Sequence, residues 1–100
     1  MDRLLETSKS RPVLIFKHST QCSISDAAYD EFLRFTAEAQ DVVCGIVRVV
    51  ENRIVSNAVA STLGVRHESP QAIVVENGHQ IWNASHWSIT ADSLSKALRS

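Results

Sequence analysis

The chain has 100 residues, enough for one domain, with 44% hydrophobic and 21% charged residues, both ordinary for a soluble globular protein. Eleven acidic against ten basic side chains leave a formal net charge of -1, which offers no basic footprint for nucleic acid and no polybasic segment for anionic lipid. The longest apolar run, Val42 to Val47 counting Gly45, is far short of a membrane span, so neither nucleic acid nor a membrane is an expected partner.

Residues 1–11 read as a short helix or arm anchored by Leu4 and Leu5. Val13-Leu14-Ile15-Phe16, opened by Pro12, is a continuous apolar run of the kind a strand shows when both faces are covered. The loop His18-Ser19-Thr20-Gln21 leads into a helix from about Cys22 to Gln40, with Ile24, Ala27, Ala28, Phe32 and Phe35 on its apolar stripe. Val42 to Val50 reads as a second strand of the buried type. A second helix runs from Asn52, as N-cap, to Leu63, with Ile54, Val55, Ala58, Val59 and Leu63 on one face and Gly64 as its stop. Ala72 to Val75, Asn77-Gly78 and Gln80 to Trp82 make a β-hairpin, because Asn-Gly is the strongest short hairpin signal. A last helix, Thr90 to Leu98, buries Leu94, Ala97 and Leu98.

The order β-α-β-α-β-β-α gives an α/β fold. Two strands joined through a helix are expected parallel, and the hairpin extends the same sheet. That is the thioredoxin-like arrangement, a four-stranded mixed sheet flanked by helices, in a single domain over residues 1–100. The fold carries a cis-proline before its hairpin, so a cis bond is expected at Ser69-Pro70.

Cys22 falls where a buried strand gives way to a helix, whose unpaired N–H groups and positive dipole end favour a thiolate. It is the candidate nucleophile, and His18 would add to the effect if protonated. Cys44, mid-strand between Val43 and Gly45, is expected to be a small core residue. A Cys22–Cys44 disulfide is rejected, since a mid-strand residue of a parallel neighbour does not approach the helix start. Dithiol members of this fold place a resolving cysteine where this chain has Ser25. The pattern points to a monothiol whose mixed disulfide is resolved by an outside thiol. The four histidines and two cysteines match no zinc template, so no metal and no tightly bound cofactor is expected. The stretch MDRLLETSKSR is unlike a secretory signal and two cysteines make no disulfide framework, so a reducing cytoplasm is the expected compartment.

Four segments carry a closer match: Phe16-Lys17-His18-Ser19-Thr20, Cys22-Ser23-Ile24-Ser25, His67-Glu68-Ser69-Pro70-Gln71 and Ala84-Ser85-His86-Trp87. Together, over about residues 12–98, they resemble the monothiol bacilliredoxin family of the bacillithiol redox system. The resemblance implies that Cys22 is the redox-active cysteine and that the activity is removal of bacillithiol from protein mixed disulfides. Its partners would be S-bacillithiolated client proteins and a low-molecular-weight thiol, with bacillithiol as co-substrate. One position departs: the family usually has proline after the cysteine, and this chain has Ser23.

The expected topology brings His18, Ser69-Pro70 and Ser85-His86-Trp87 to one end of the sheet beside Cys22. His18 and His67 also suit loop-backbone contacts, and Trp87 suits packing as well as a substrate groove. Ser88 or Thr90 caps the last helix, whose N-terminus could receive a carboxylate such as the malate end of bacillithiol. Alternative functions are a glutaredoxin-like protein using glutathione or a bridged iron–sulfur cluster, and a thioredoxin-fold binding module in which Cys22 is incidental.

Overall fold

The run Val13–His18 forms strand β1, and every residue in it is buried. It is the centre of a computed structural model that describes residues 2–18, 23–38, 42–48 and 53–99, with 2–4, 23–25 and 99 described by backbone alone. Around β1 come helix α1 (Asp2–Thr7), α2 (Ser23–Glu38), β2 (Val43–Arg48), α3 (Arg53–Leu63), β3 (Gln71–Glu76), β4 (His79–Ser85) and α4 (Ala91–Arg99), with a 3-10 turn at His86–Ser88. β2 pairs parallel with β1, β3 pairs antiparallel with β1, and β4 pairs antiparallel with β3. The sheet order is therefore β2-β1-β3-β4. Among the described residues no helix is long and apolar enough to cross a membrane.

Alternation along β1 divides the core into two layers, because successive side chains leave opposite faces of a strand. Leu14 and Phe16 join Ala72 and Val74 of β3 under Ala28, Phe32 and Phe35 of α2 and Leu94 and Ala97 of α4. Val13 and Ile15 join Ile73 and Val75 under Val59 and Leu63 of α3. Leu94 is fully buried, so its truncation to alanine costs about 2–5 kcal/mol. Leu5 packs against the α3-side layer.

Turn chemistry sets the ends of these elements. Gly64 takes φ +65° after α3, and the Val65 N–H reaches back to the Ala60 carbonyl at 3.1 Å, the bond that closes a helix with a left-handed residue. Asn77 and Gly78 both have positive φ, 55° and 78°, as a two-residue hairpin loop requires. Buried Ser8 clasps that loop, accepting from the Asn77 N–H on its carbonyl and from the Gly78 N–H on its hydroxyl, each at 2.8 Å.

Two expectations are corrected. β2 is an edge strand, not a strand covered on both faces: Cys44, Ile46 and Arg48 are exposed, and only Val47 is buried. Its inward residues meet the α3-side layer, while on the other face the helices cover Leu14 and Phe16 of β1 and leave Cys44 and Ile46 to solvent. On α3 the buried residues are Ser56, Val59 and Leu63, whereas Ile54 is 86% exposed and Val55 also faces solvent. The expected N-cap Asn52 lies outside the described residues.

Candidate functional site

Three chain segments meet at one end of the sheet. Lys17, near the end of β1, pairs with Gln71 at the start of β3, and Gln71 pairs with Ser85 at the end of β4. The strand leading towards Cys22, the Ser69-Pro70 loop and the His86-Trp87 turn therefore share this end. Cys22 itself lies outside the described residues, as does the side chain of Ser25, whose backbone is in the first turn of α2.

The loop before β3 is firmly held. The Ser69–Pro70 peptide bond is cis. The Pro70 carbonyl accepts from the His86 N–H at 3.1 Å, which joins this loop directly to the turn after β4. Gln71 is buried and donates through Nε2 to the Arg66 carbonyl at 2.9 Å. The Ser69 hydroxyl is buried and, among the described residues, has no hydrogen-bond partner.

The expected site residues take different surroundings. His18 is buried, its ring stacked on Tyr29 of α2 at 4.7 Å and on Phe16 at 5.9 Å between centroids. His86 has φ 55°, and its Nε2 lies 3.6 Å from the Glu68 carboxylate. Trp87 is 70% exposed, so its ring does not pack in the core. With His86, Ile89 and Thr90 it faces Ala27, Asp30 and Arg34 of α2 across a groove of about 370 Å³.

Among the described residues, His67 meets side chains and not loop backbone. Its Nδ1 faces Lys17 Nζ at 3.1 Å and Ser56 Oγ at 3.4 Å. With Lys17 as an ammonium, which can only donate, Nδ1 is the acceptor and the neutral ring carries its proton on Nε2, an assignment made from these partners. Lys17 is fully buried, and desolvation lowers its pKa from the ordinary 10.5. Desolvation first, and then the Lys17 and Arg53 charges, lower His67 from 6.5 against an opposing pull from Glu68. Arg53, Ser56, Asn57 and His67 line a cavity of about 360 Å³ on the α3 face. Sequence reasoning does not single out Lys17, Arg53, Ser56 or Asn57; the available signal is a lysine inside an otherwise apolar buried strand.

The anion site expected at the last helix is already filled from within. Thr90 is the cap: its Oγ1 accepts from the Ser93 N–H, and the Ser93 hydroxyl accepts from the Thr90 N–H, both at 3.0 Å. Glu31 of α2 accepts from the Ala91 N–H at 3.0 Å, so a carboxylate of the chain itself occupies the first-turn donor. Ser88 contributes its carbonyl, which accepts from the Ser93 hydroxyl at 2.9 Å.

Cys44 is not the core residue expected. It is exposed on the edge strand, and the protein against its sulfur still removes enough water to raise the thiol pKa from its ordinary value. It pairs with Leu14, four residues before His18, roughly 13 Å along the strand from the sheet end where the site residues gather. Among the described residues no three His, Cys, Asp or Glu side chains gather as metal ligands.

Known proteins match this architecture. A solved structure described as a proposed oxidoreductase with a thioredoxin fold shares 36% identity, with a TM-score of 0.86 over 97% of this chain and 87% of that one. Fasciola hepatica thioredoxin superposes with a TM-score of 0.77 at 14% identity over 98% of this chain and 88% of its own. The short form of thioredoxin f from spinach chloroplast gives 0.75 at 13% identity over 97% and 81%. At those identities the thioredoxins show the fold alone. The family described as "Monothiol bacilliredoxin BrxC" matches residues 1–94. With a thioredoxin fold and that match over nearly its whole length, the chain is a thiol oxidoreductase and belongs to the monothiol bacilliredoxin family.

Proposed function

We propose that this oxidoreductase removes bacillithiol from protein mixed disulfides, with Cys22 as the nucleophile. The Cys22 thiolate attacks the bacillithiol sulfur of the mixed disulfide. The client sulfur leaves as a thiolate and takes a proton from water, and Cys22 is left in a disulfide with bacillithiol. A second low-molecular-weight thiol, as thiolate, then attacks the bacillithiol sulfur. That step releases the Cys22 thiolate and a disulfide of the two small thiols. Ser25, three residues after Cys22, supplies no internal thiol, which is why the outside thiol is needed. The partners in this reading are S-bacillithiolated clients in a reducing cytoplasm.

The observation that carries the reading is the meeting of the β1, β3 and β4 ends, joined by the Pro70–His86 bond, where the chain runs on from β1 towards Cys22. Two further features support it. Cys44 lies on the far part of the edge strand with its thiol held protonated by partial desolvation, and so is a poor nucleophile. The exposed Trp87 ring and its groove against α2 offer an apolar surface for the client chain.

Alkylation rates of a Cys44→Ala variant, followed against pH, test the proposal. A reactive Cys22 gives a midpoint clearly below the ordinary thiol value of about 8.5. A midpoint at or above that value contradicts a thiolate nucleophile.

A further inference from the structure

Among the described residues, the cavity on the α3 face is lined by side chains that can all donate a hydrogen bond. Arg53 brings a guanidinium and Asn57 an amide, and His67 also lines it, its ring proton left on Nε2 because both Lys17 and Ser56 are directed at Nδ1. Among the described residues that line it there is no carboxylate. The nearest one in sequence, Glu68, is drawn to His86 Nε2 at 3.6 Å. Behind the lining lies Lys17, fully buried, a cation whose field acts through protein and not through water. Its stem shares the face of β1 that carries Val13 and Ile15, so its ammonium reaches His67 at the rim by extending along the apolar layer. His67 is three residues before Pro70, which puts the cavity beside the sheet end that Pro70 and His86 share.

We propose that the cavity lined by Arg53, Ser56, Asn57 and His67 is a carboxylate-binding subsite for the small thiol that the protein transfers. The assignment rests on the thiol-exchange reading and deepens it, because it gives the carboxylate end of the small thiol a place in the fold. A guanidinium fork matches a planar carboxylate with two parallel hydrogen bonds, and an imidazole N–H and an amide can satisfy the remaining lone pairs. A volume of about 360 Å³ holds a dicarboxylate fragment of a few carbons. The α4 N-terminus, by contrast, has its Ala91 N–H taken by Glu31. Among the described residues the charged groups acting on His67 are Lys17, Arg53 and Glu68, and a bound dianion beside it stabilises the imidazolium form.

The test uses L-malate as probe, with NMR detection of the histidine rings in the intact protein. The His67 ring signal moves saturably with malate, its titration midpoint rises in the bound form, and Arg53→Gln weakens binding about tenfold. Arg53→Lys, which keeps the charge and loses the fork, falls between the two. No saturable movement, the same movement with glycerol, or unchanged affinity in Arg53→Gln overturns the subsite. Exchange by the wild-type protein is measured in parallel on a mixed disulfide of 2-mercaptoethanol, which carries no carboxylate. Exchange without malate binding rejects the subsite and leaves the redox reading standing. Malate binding in a protein that exchanges no disulfide rejects the cavity as a thiol subsite.

Discussion

Lys17 Nζ and His67 Nδ1 lie 3.1 Å apart, although fifty residues separate them in the chain. The contact joins the end of the central strand to the loop that precedes Pro70, and it places a fully buried cation against a neutral imidazole. Such a pair is held by the fold at a cost, because desolvation disfavours the ammonium.

Lys17→Met keeps the stem and removes the charge, so stability at neutral pH is expected to rise by on the order of 1 kcal/mol. The sign follows from linkage. The pKa of Lys17 is lowered in the folded protein, so over the range between that value and 10.5 the unfolded chain binds more protons and stability climbs as pH rises. Chemical denaturation at several alkaline pH values should show that climb in the wild type and its loss in the variant. The His67 titration, followed by NMR, should move up in the same variant but stop short of 6.5, because burial is the larger cause of its shift.

Ser25→Cys places a thiol three residues after Cys22. The internal disulfide it forms should eject bacillithiol from the mixed disulfide, so free small thiol appears after a single turnover in the variant and not in the wild type. Quantifying released thiol checks this. No release from an accessible introduced thiol would contradict the assumed spacing of the α2 start.

Trp87→Ala should leave stability within about 0.5 kcal/mol, since the ring is 70% exposed. If the ring contacts clients, KM for a protein mixed disulfide rises severalfold while the rate with a small disulfide is unchanged. Equal loss on both substrates would place the effect on the turn that Trp87 belongs to.

Thr90→Ala removes the acceptor for the Ser93 N–H and should cost about 1 kcal/mol in thermal or denaturant unfolding. Exchange with a small disulfide should persist, since the first-turn donor Ala91 N–H is taken by Glu31 and is no open anion site.

What can be read from the chain follows the range of the forces involved. Local signals are legible: Asn77-Gly78 demands positive φ, Gly64 stops a helix, and Val13 to Phe16 is apolar at consecutive positions because both faces are covered. The element order then dictates the sheet topology, and with it the end where the candidate site residues gather. β2 misleads because an apolar run looks alike at the centre and at the edge of a sheet. Only the tertiary position decides that Cys44 and Ile46 meet water. Ile54 misleads for a similar reason, since its helical spacing fits a face that α3 does not bury. Lys17 with His67, and Glu31 with Ala91, depend on partners fifty and sixty residues away, which no local pattern encodes.

Mass spectrometry after one turnover tests the central claim most directly. The wild-type protein is mixed with an S-bacillithiolated client, quenched with acid, and digested without reductant. A bacillithiol adduct on the peptide carrying Cys22, none on the peptide carrying Cys44, and no adduct or client release in Cys22→Ser is the expected result. An adduct on Cys44, or undiminished client release by Cys22→Ser, would contradict the account.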